Sequence, residues 1–245
     1  MPRTALTLAA TLACALLNLA VPPAVATATA GLSAEQMWAL ARLGDPTLAP
    51  DGGLAVVPVT RHDLKDNKSY TSLWLFPTDG TPGRQLTSGK TSDTNPAFSP
   101  DGRQVAFVSK RGDDRENQIY VIAVDGGEAR RVTSVPTGAG ALKWFPDGTK
   151  LAFVTPVWTD LVKWEDQEQR RKEREESKMS ARVWSRAPIA YWDRYLDDRE
   201  PHLFSIALEG GEPEAISRLT GFHLSKQDYS SSSYDISPDG LELAF

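Results

Sequence analysis

Phe98-Ser-Pro-Asp-Gly-Arg-Gln-Val-Ala-Phe107 is one of four versions of a single phrase in this 245-residue chain. The others are Leu48-Ala-Pro-Asp-Gly-Gly-Leu-Ala-Val-Val57, Trp144-Phe-Pro-Asp-Gly-Thr-Lys-Leu-Ala-Phe153 and Ile236-Ser-Pro-Asp-Gly-Leu-Glu-Leu-Ala-Phe245. Their prolines, Pro50, Pro100, Pro146 and Pro238, stand 50, 46 and 92 residues apart, the last interval being twice 46. A period in the forties built from short strands is the signature of propeller blades. Within the phrase, proline presets φ for the second position of a tight turn, Asp suits the third, and Gly accepts the positive φ that closes a hairpin.

The strand that follows each turn alternates. Ala55, Val105, Leu151 and Leu243 share a face with Val57, Phe107, Phe153 and Phe245, because side chains two apart along a strand point the same way. Between them lie Val56, Ala106, Ala152 and Ala244, mostly small, which lets a neighbouring sheet come close. A second phrase comes next in each unit: Ser72–Phe76 with Asp79-Gly80, Gln118–Ile122 with Asp125-Gly126, and His202–Ile206 with Gly210-Gly211. An outer strand then ends in a hydroxyl residue, Thr87, Thr133 or Ser217. The second unit parses as strands Asn95–Phe98, Gln104–Lys110, Gln118–Val124 and Ala129–Ser134, and four antiparallel strands make one blade. The expected fold is all-β: a partial β-propeller of about three and a half four-stranded blades over residues 48–245, with a helical insert in the third. An ordinary β-sandwich does not explain four copies of the corner in register.

Outward from the repeat, residues 31–47 read as a short helix and lead-in. Ser33 caps it, Gln36 completes a capping box, and Met37, Leu40 and Ala41 give an apolar side suited to packing. Residues 1–30 read as a signal peptide. Arg3 supplies the positive start, Ala5 to Ala20 is apolar apart from Thr7, Thr11 and Asn18, and Pro22-Pro23 ends the run. Ala26-Thr27-Ala28 or Ala28-Thr29-Ala30 then offers a cleavage site. The run falls short of the roughly 20 apolar residues of a spanning helix, so no stable membrane span is expected after cleavage. Cys14, the only cysteine, lies in that segment, and Thr11 stands where a lipoprotein signal would have Leu. The mature chain then has no thiol and must be held by packing. Export to the periplasm or beyond the cell is the expected address.

The net charge of -5 and pI near 5.3 argue against a nucleic-acid partner. From Pro146 to Gly210 is 64 residues, against 26 for the equivalent Pro100 to Gly126, which marks an insert over about residues 158–200. Trp164 to Lys178 is crowded with charge, Glu168 and Lys172 four apart, and reads as a solvated helix. Residues 183–198 mix aromatics with carboxylates. The plain reading has Trp184, Tyr191, Trp192 and Tyr195 dock the insert on its blade. The sharper one has Asp193, Asp197, Asp198 or Glu200 face a cavity and hold a ligand's cationic group.

Catalytic chemistry is not found in these residues. Gly-x-Ser-x-Gly does not occur; Gly31-Leu-Ser-Ala-Glu35 comes nearest. His62, His202 and His223 lie far apart without metal-ligand spacing, and His202, opening a strand, reads as a core or edge residue. Gly138 and Gly140 begin a dinucleotide-like pattern that Lys143 ends. No catalytic residue, metal or cofactor is expected here.

The Ser-Pro-Asp-Gly repeats followed by Val-Ala-Phe or Leu-Ala-Phe resemble those shared by TolB-type proteins and the prolyl oligopeptidase family. Ala39 to Pro50 resembles the approach to the first blade of secreted dipeptidyl- and acylaminoacyl-type members. Ala181 to Leu203, with Tyr191-Trp-Asp193 and Asp197-Asp-Arg-Glu-Pro-His-Leu203, resembles the insert those enzymes carry. The resemblance implies a serine peptidase in which a propeller screens a carboxy-terminal α/β-hydrolase domain, so that only short or flexible peptides reach the nucleophile. The sequence ends at Phe245, inside the fourth repeat, with no position matching a triad residue, so this chain alone is expected to be inactive. A half-built blade would leave an open sheet edge, making residues 31–245 sticky or partly unfolded. Some dipeptidyl members grip the substrate's amino group with propeller carboxylates, and Asp193, Asp197, Asp198 and Glu200 are the candidates. The other implied class is a non-enzymatic, TolB-like propeller that works by protein contact.

Overall fold

The computed structural model describes residues 31–178, 181, 190–196, 198–218, 220–221 and 223–245. The signal-peptide reading, Trp184 and Asp197 lie outside the described residues. The chain divides into two units, Met1–Met37 and Trp38–Phe245.

Helix α1, Ala34–Ala39, begins with the expected capping box: Ser33 Oγ accepts the Gln36 N–H at 3.2 Å, and Gln36 Oε1 accepts the Ser33 N–H at 2.9 Å. The expected packing face is not used, since none of its residues is buried.

The second unit is a stack of antiparallel sheets. Blade 1 joins Arg42–Leu43 and Thr47–Leu48, as one broken inner strand, to Leu54–Asp63, Lys68–Pro77 and Arg84–Gln85. Blade 2 runs Thr94–Phe98, Gln104–Ser109, Gln118–Ala123 and Arg130–Arg131, within a few residues of the expected parse. Blade 3 runs Gly140–Trp144, Lys150–Val157, Glu200–Ala207 and Glu214–Ala215. A hairpin of Asp235–Ile236 and Leu243–Ala244 follows. Helix α2, Trp164–Ser177, sits between the second and third strands of blade 3. Among the described residues no helix is long and apolar enough to cross a membrane.

The Pro-Asp-Gly corners are alike in detail. Gly52, Gly102, Gly148 and Gly240 have φ of 73°, 71°, 70° and 72°. Each donates its N–H to the residue before the proline, at 2.8–2.9 Å: Ala49, Ser99, Phe145 and Ser237. Asp51, Asp101, Asp147 and Asp239 each accept the N–H two residues on, at 2.9–3.1 Å. The corners also touch their predecessors. A methyl group built on Gly102 would lie 3.6 Å from Pro50 Cδ, on Gly148 3.7 Å from Pro100 Cδ, and on Gly240 3.5 Å from Pro146 Cδ. The four corners are therefore stacked one upon the next.

Alternation along the second strands gives each blade two different faces. Val105 and Phe107 pack with Tyr120 and Ile122 against Val56, Leu73 and Leu75 of blade 1. On the reverse face Ala106, Val108, Ile119 and Val121 meet Leu151, Phe153, Phe204 and Ile206 of blade 3. Ala152, Val154 and Leu203 then meet Leu224 and Tyr234, with Ile236 and Leu243 alongside. Phe107 stacks on Tyr120 and Phe153 on Phe204 at the same 6.0 Å. Burying such a side chain fully contributes about 1.5–3 kcal/mol.

The terminal hydroxyl of each outer strand has a buried task. Thr87, Thr133 and Ser217 Oγ accept the N–H of Leu73, Ile119 and Leu203 at 2.9, 2.8 and 2.9 Å. These N–H groups lie where the outer strand has left the ladder, so the side chain replaces a backbone acceptor. Thr133 in turn donates to Gln118 Oε1 at 2.8 Å, while Ser217 lies 3.0 Å from His202 Nδ1. We expect Thr133→Val to destabilise the protein by about 1–3 kcal/mol, because it orphans buried polar groups. Thr133→Ser, the blade 3 solution, should retain most of that stability in urea melts. A loss in Thr133→Ser with none in Thr133→Val would assign the effect to the threonine methyl instead.

Candidate functional site

The insert starts and ends on a fully paired hairpin. Lys150–Val157 and Glu200–Ala207 pair from Lys150↔Ala207 to Val157↔Glu200, so residues 158–199 leave and rejoin the blade at neighbouring positions. Helix α2 shows the expected Glu168–Lys172 pair at 3.4 Å, but it is not wholly solvated. Trp164 lies 5.1 Å from Phe204, and Gln167 and Arg171 are buried. Gln167 Nε2 donates to the carbonyls of Trp158 and Leu161, both at 2.8 Å, and Gln167 Oε1 accepts the Trp158 N–H at 3.0 Å. Arg171 is satisfied by Glu168, at 2.8 and 2.9 Å, and by Glu175.

Of the aromatics expected to dock the insert, Tyr191 is half-buried and two are turned largely to solvent. Trp192 is 89% and Tyr195 61% exposed. Trp192 is a turn residue of the small hairpin Ala190–Tyr191/Arg194–Tyr195, with φ of 55°. Docking falls to Trp158, Trp164, Gln167 and Leu196, all of them buried except the half-buried Trp164. Composition pointed to the later cluster because it is denser in rings, whereas burial selects the rings nearest the paired strands.

The candidate carboxylates divide. Asp193 is exposed on the tip of that hairpin. Asp198 accepts from Trp158 Nε1, 3.1 Å from each oxygen, and from both terminal nitrogens of Arg174, one at 2.8 Å. The Arg174 guanidinium also lies over the Trp158 ring at 4.8 Å, with Arg199 and Arg170 at 5.4 and 5.7 Å. Arg170 is held by Asp160 through two bonds of 2.8 Å, and this pairing keeps the Asp160 carboxyl below its usual range. Asp198 is thus part of the clasp between α2 and the blade. It is not an open anion.

Glu200 turns elsewhere. Its Oε1 lies 3.3 Å from Lys226 Nζ and its Oε2 3.2 Å from His223 Nδ1. His202, two residues along the strand, is 1% exposed, and its ring meets that of His223 edge-on at 5.6 Å. One ligand atom from each of Glu200, His202 and His223 lies within 4.8 Å of the others. Burial, reinforced by His223, holds the His202 imidazole below its ordinary range and so neutral. His202 is in the core, as its strand position implied. The separation of His202 and His223 in sequence does not persist in space, because the link from blade 3 to the fourth hairpin folds back on the strand end. A spacing test misses such a pair.

Two hollows are lined by described residues. One, about 450 Å³, lies between Asp113–Gln118 of blade 2 and α2. The other, about 780 Å³, is lined by inner-strand residues of three blades, among them Thr47, Asn95, Lys143 and Trp144.

A family model described as the Tricorn protease N-terminal beta propeller domain matches residues 68–165. Over 81 residues the chain is 35% identical to dipeptidyl-peptidase 5 of Porphyromonas gingivalis, a match covering 33% of this chain and 12% of that one. Over 93 residues it is 34% identical to the uncharacterized peptidase YuxL of Bacillus subtilis, covering 38% and 14%. The matches thus span under a sixth of these relatives' length. Among solved structures, the acylaminoacyl peptidase of Pyrococcus horikoshii aligns with a TM-score of 0.53 at 19% identity, over 71% of this chain and 24% of that one. The chain therefore carries a β-propeller similar in sequence to the propeller regions of peptidases.

The clasp gives a testable expectation. Gln167→Ala removes three hydrogen bonds and orphans the buried Trp158 N–H, a cost of about 1–3 kcal/mol. Amide exchange in α2 should accelerate by about tenfold or more. Arg174→Gln, acting on a largely exposed pair, should cost under about 1 kcal/mol. Unchanged exchange in Gln167→Ala would show that apolar packing alone holds the helix.

Proposed function

We propose that residues 48–245 are the amino-terminal propeller of an exported serine peptidase that cleaves short peptides, of the dipeptidyl- or acylaminoacyl-peptidase kind. In this reading the propeller gates access to a catalytic domain in the rest of the protein. The observation that carries it is the stretch 35% identical to dipeptidyl-peptidase 5. The structure supports it with stacked blades whose inner strands line a hollow, and with a helical insert placed on one hairpin end. The chemistry assigned to that domain is acyl transfer from an activated serine, with the propeller contributing substrate selection by size and flexibility.

Export follows from the reading of residues 1–30 as a cleaved signal peptide. Of the four carboxylates, Asp193 suits a grip on a substrate's free ammonium group, since it is exposed on a hairpin tip. Asp197 shares that assignment from sequence alone. Asp198 and Glu200 are already engaged by Arg174 and by Lys226 with His223.

The coding frame beyond Phe245 and one assay test this together. The frame should reach a Gly-x-Ser-x-Gly segment, and the full-length protein should hydrolyse dipeptidyl or acyl-amino-acid chromogenic substrates and react with a fluorophosphonate. Residues 31–245 alone should do neither. Asp193→Asn in the full-length protein should raise KM for peptides with a free amino terminus and leave blocked peptides unaffected. A frame that closes after six or seven blades without a nucleophile would overturn the peptidase reading in favour of a stand-alone binding propeller.

A further inference from the structure

We propose that Glu200, His202 and His223 form a binding site for a divalent transition-metal ion, zinc foremost, that ties the end of the insert to the link between blade 3 and the fourth hairpin. Two imidazoles and one carboxylate are a donor set suited to zinc and to its neighbours in the first transition row. What points to a ligand is His202 Nε2, a buried nitrogen of a 1%-exposed residue with no hydrogen-bond partner among the described residues. A buried polar atom left in that state costs about 1–3 kcal/mol, so it calls for an occupant.

The other ring nitrogen sets up the ligand form. Ser217 Oγ lies 3.0 Å from His202 Nδ1 and accepts the Leu203 N–H at 2.9 Å. A hydroxyl oxygen has two lone pairs, so it can accept from Nδ1–H as well. That arrangement leaves Nε2 with a free lone pair and fixes the ring plane, which is what a metal-binding histidine needs from its neighbour. His202 lies in the third strand of blade 3 and Ser217 just beyond the outer strand beside it, so the first ligand is held by the blade.

The other two ligands have room to close. In a tetrahedral centre with bonds of about 2.0 Å, ligand atoms lie about 3.3 Å apart. His223 Nδ1 and Glu200 Oε2 already stand at 3.2 Å, and the widest separation in the trio is under 4.8 Å. His223 is 56% exposed, while Glu200 is 20% exposed on the strand end. Glu200 can ligate through Oε2 and keep Lys226 on Oε1, so the carboxylate need not surrender its ion pair. The exposed side of His223 leaves a coordination position for water.

The rival account is that His202 is a core residue whose whole task is the bond to Ser217. Blade 2 supplies the variant that separates the two. Gln118 occupies the equivalent position and accepts from the Thr133 hydroxyl where His202 meets the Ser217 hydroxyl. His202→Gln should therefore fold and lose only the metal. The full chain, treated with chelator and dialysed against zinc, should retain one equivalent, and cobalt(II) in its place should give the intense visible bands of a low-symmetry site. Zinc should raise the melting temperature of the unsubstituted chain. His202→Gln and His223→Ala should each weaken zinc binding at least about a hundredfold, beyond the 10–100-fold typical of losing a supporting neighbour. His62→Gln, which alters the remaining histidine, should bind normally. No retained zinc, or His202→Gln binding as tightly as the parent, would overturn the site and leave a water as the partner of Nε2.

Discussion

The structure depends on one repeated fit: a large side chain of one blade entering the slot left by a small one of the blade before it. Phe153 packs on the face where blade 2 presents Ala106, and Tyr234 covers Ala152 while donating to the carbonyls of Ala141 and Ala152 at 2.6 and 3.2 Å. Both faces of blades 2 and 3 are then buried, which an isolated four-stranded sheet cannot achieve. Polar contacts repeat with the same step. Trp144 Nε1 donates to Ala97 O at 3.0 Å, and Arg84 and Arg130 donate to the carbonyls of Val124 and Leu208. Because the corner glycine of each blade rests on the proline of the last, the turn fixes the stacking step as well as the hairpin.

That fit explains why the blades were legible. Corner, alternating strand and terminal hydroxyl each answer a local demand, and a local demand leaves a local pattern. Thr87, Thr133 and Ser217 mark strand ends in the sequence, while their acceptor role follows from the folded ladder. The insert was legible only in outline. Its charged helix was evident, but the burial of Arg171 was not, because Glu168 and Glu175 flank it in sequence as any solvated pair would. The exposure of Trp192 and Tyr195 reversed an inference from composition, since ring density says nothing about which rings reach the blade. His223 was illegible as a neighbour of His202, for their meeting depends on how a link refolds over a strand end.

These outcomes share a cause. Hydrogen-bonded strands impose a register on the sequence, so a reader can count along them. A segment held by side chains alone imposes none. Gln167, Trp158 and Asp198 are bound together across up to 40 residues, and nothing in their spacing announces it. Function tends to collect in such segments because they vary without disturbing the stack.

The place of the insert follows from the same physics. Val157 and Glu200 remain a register pair, so a forty-residue excursion begins and ends where a tight turn would. Loop-closure cost rises only with the logarithm of length, by about 0.6 kcal/mol per doubling, so a stacked blade tolerates the addition. The cost that does not vanish is orientational: a long segment joined at one point can swing. The clasp of Gln167 and Arg174 restrains its near side, and Glu200, the first residue back in the strand, sits beside His202, His223 and Lys226 on the far side. Charged and metal-competent groups gather at that junction, where a rigid sheet meets a segment that must be held.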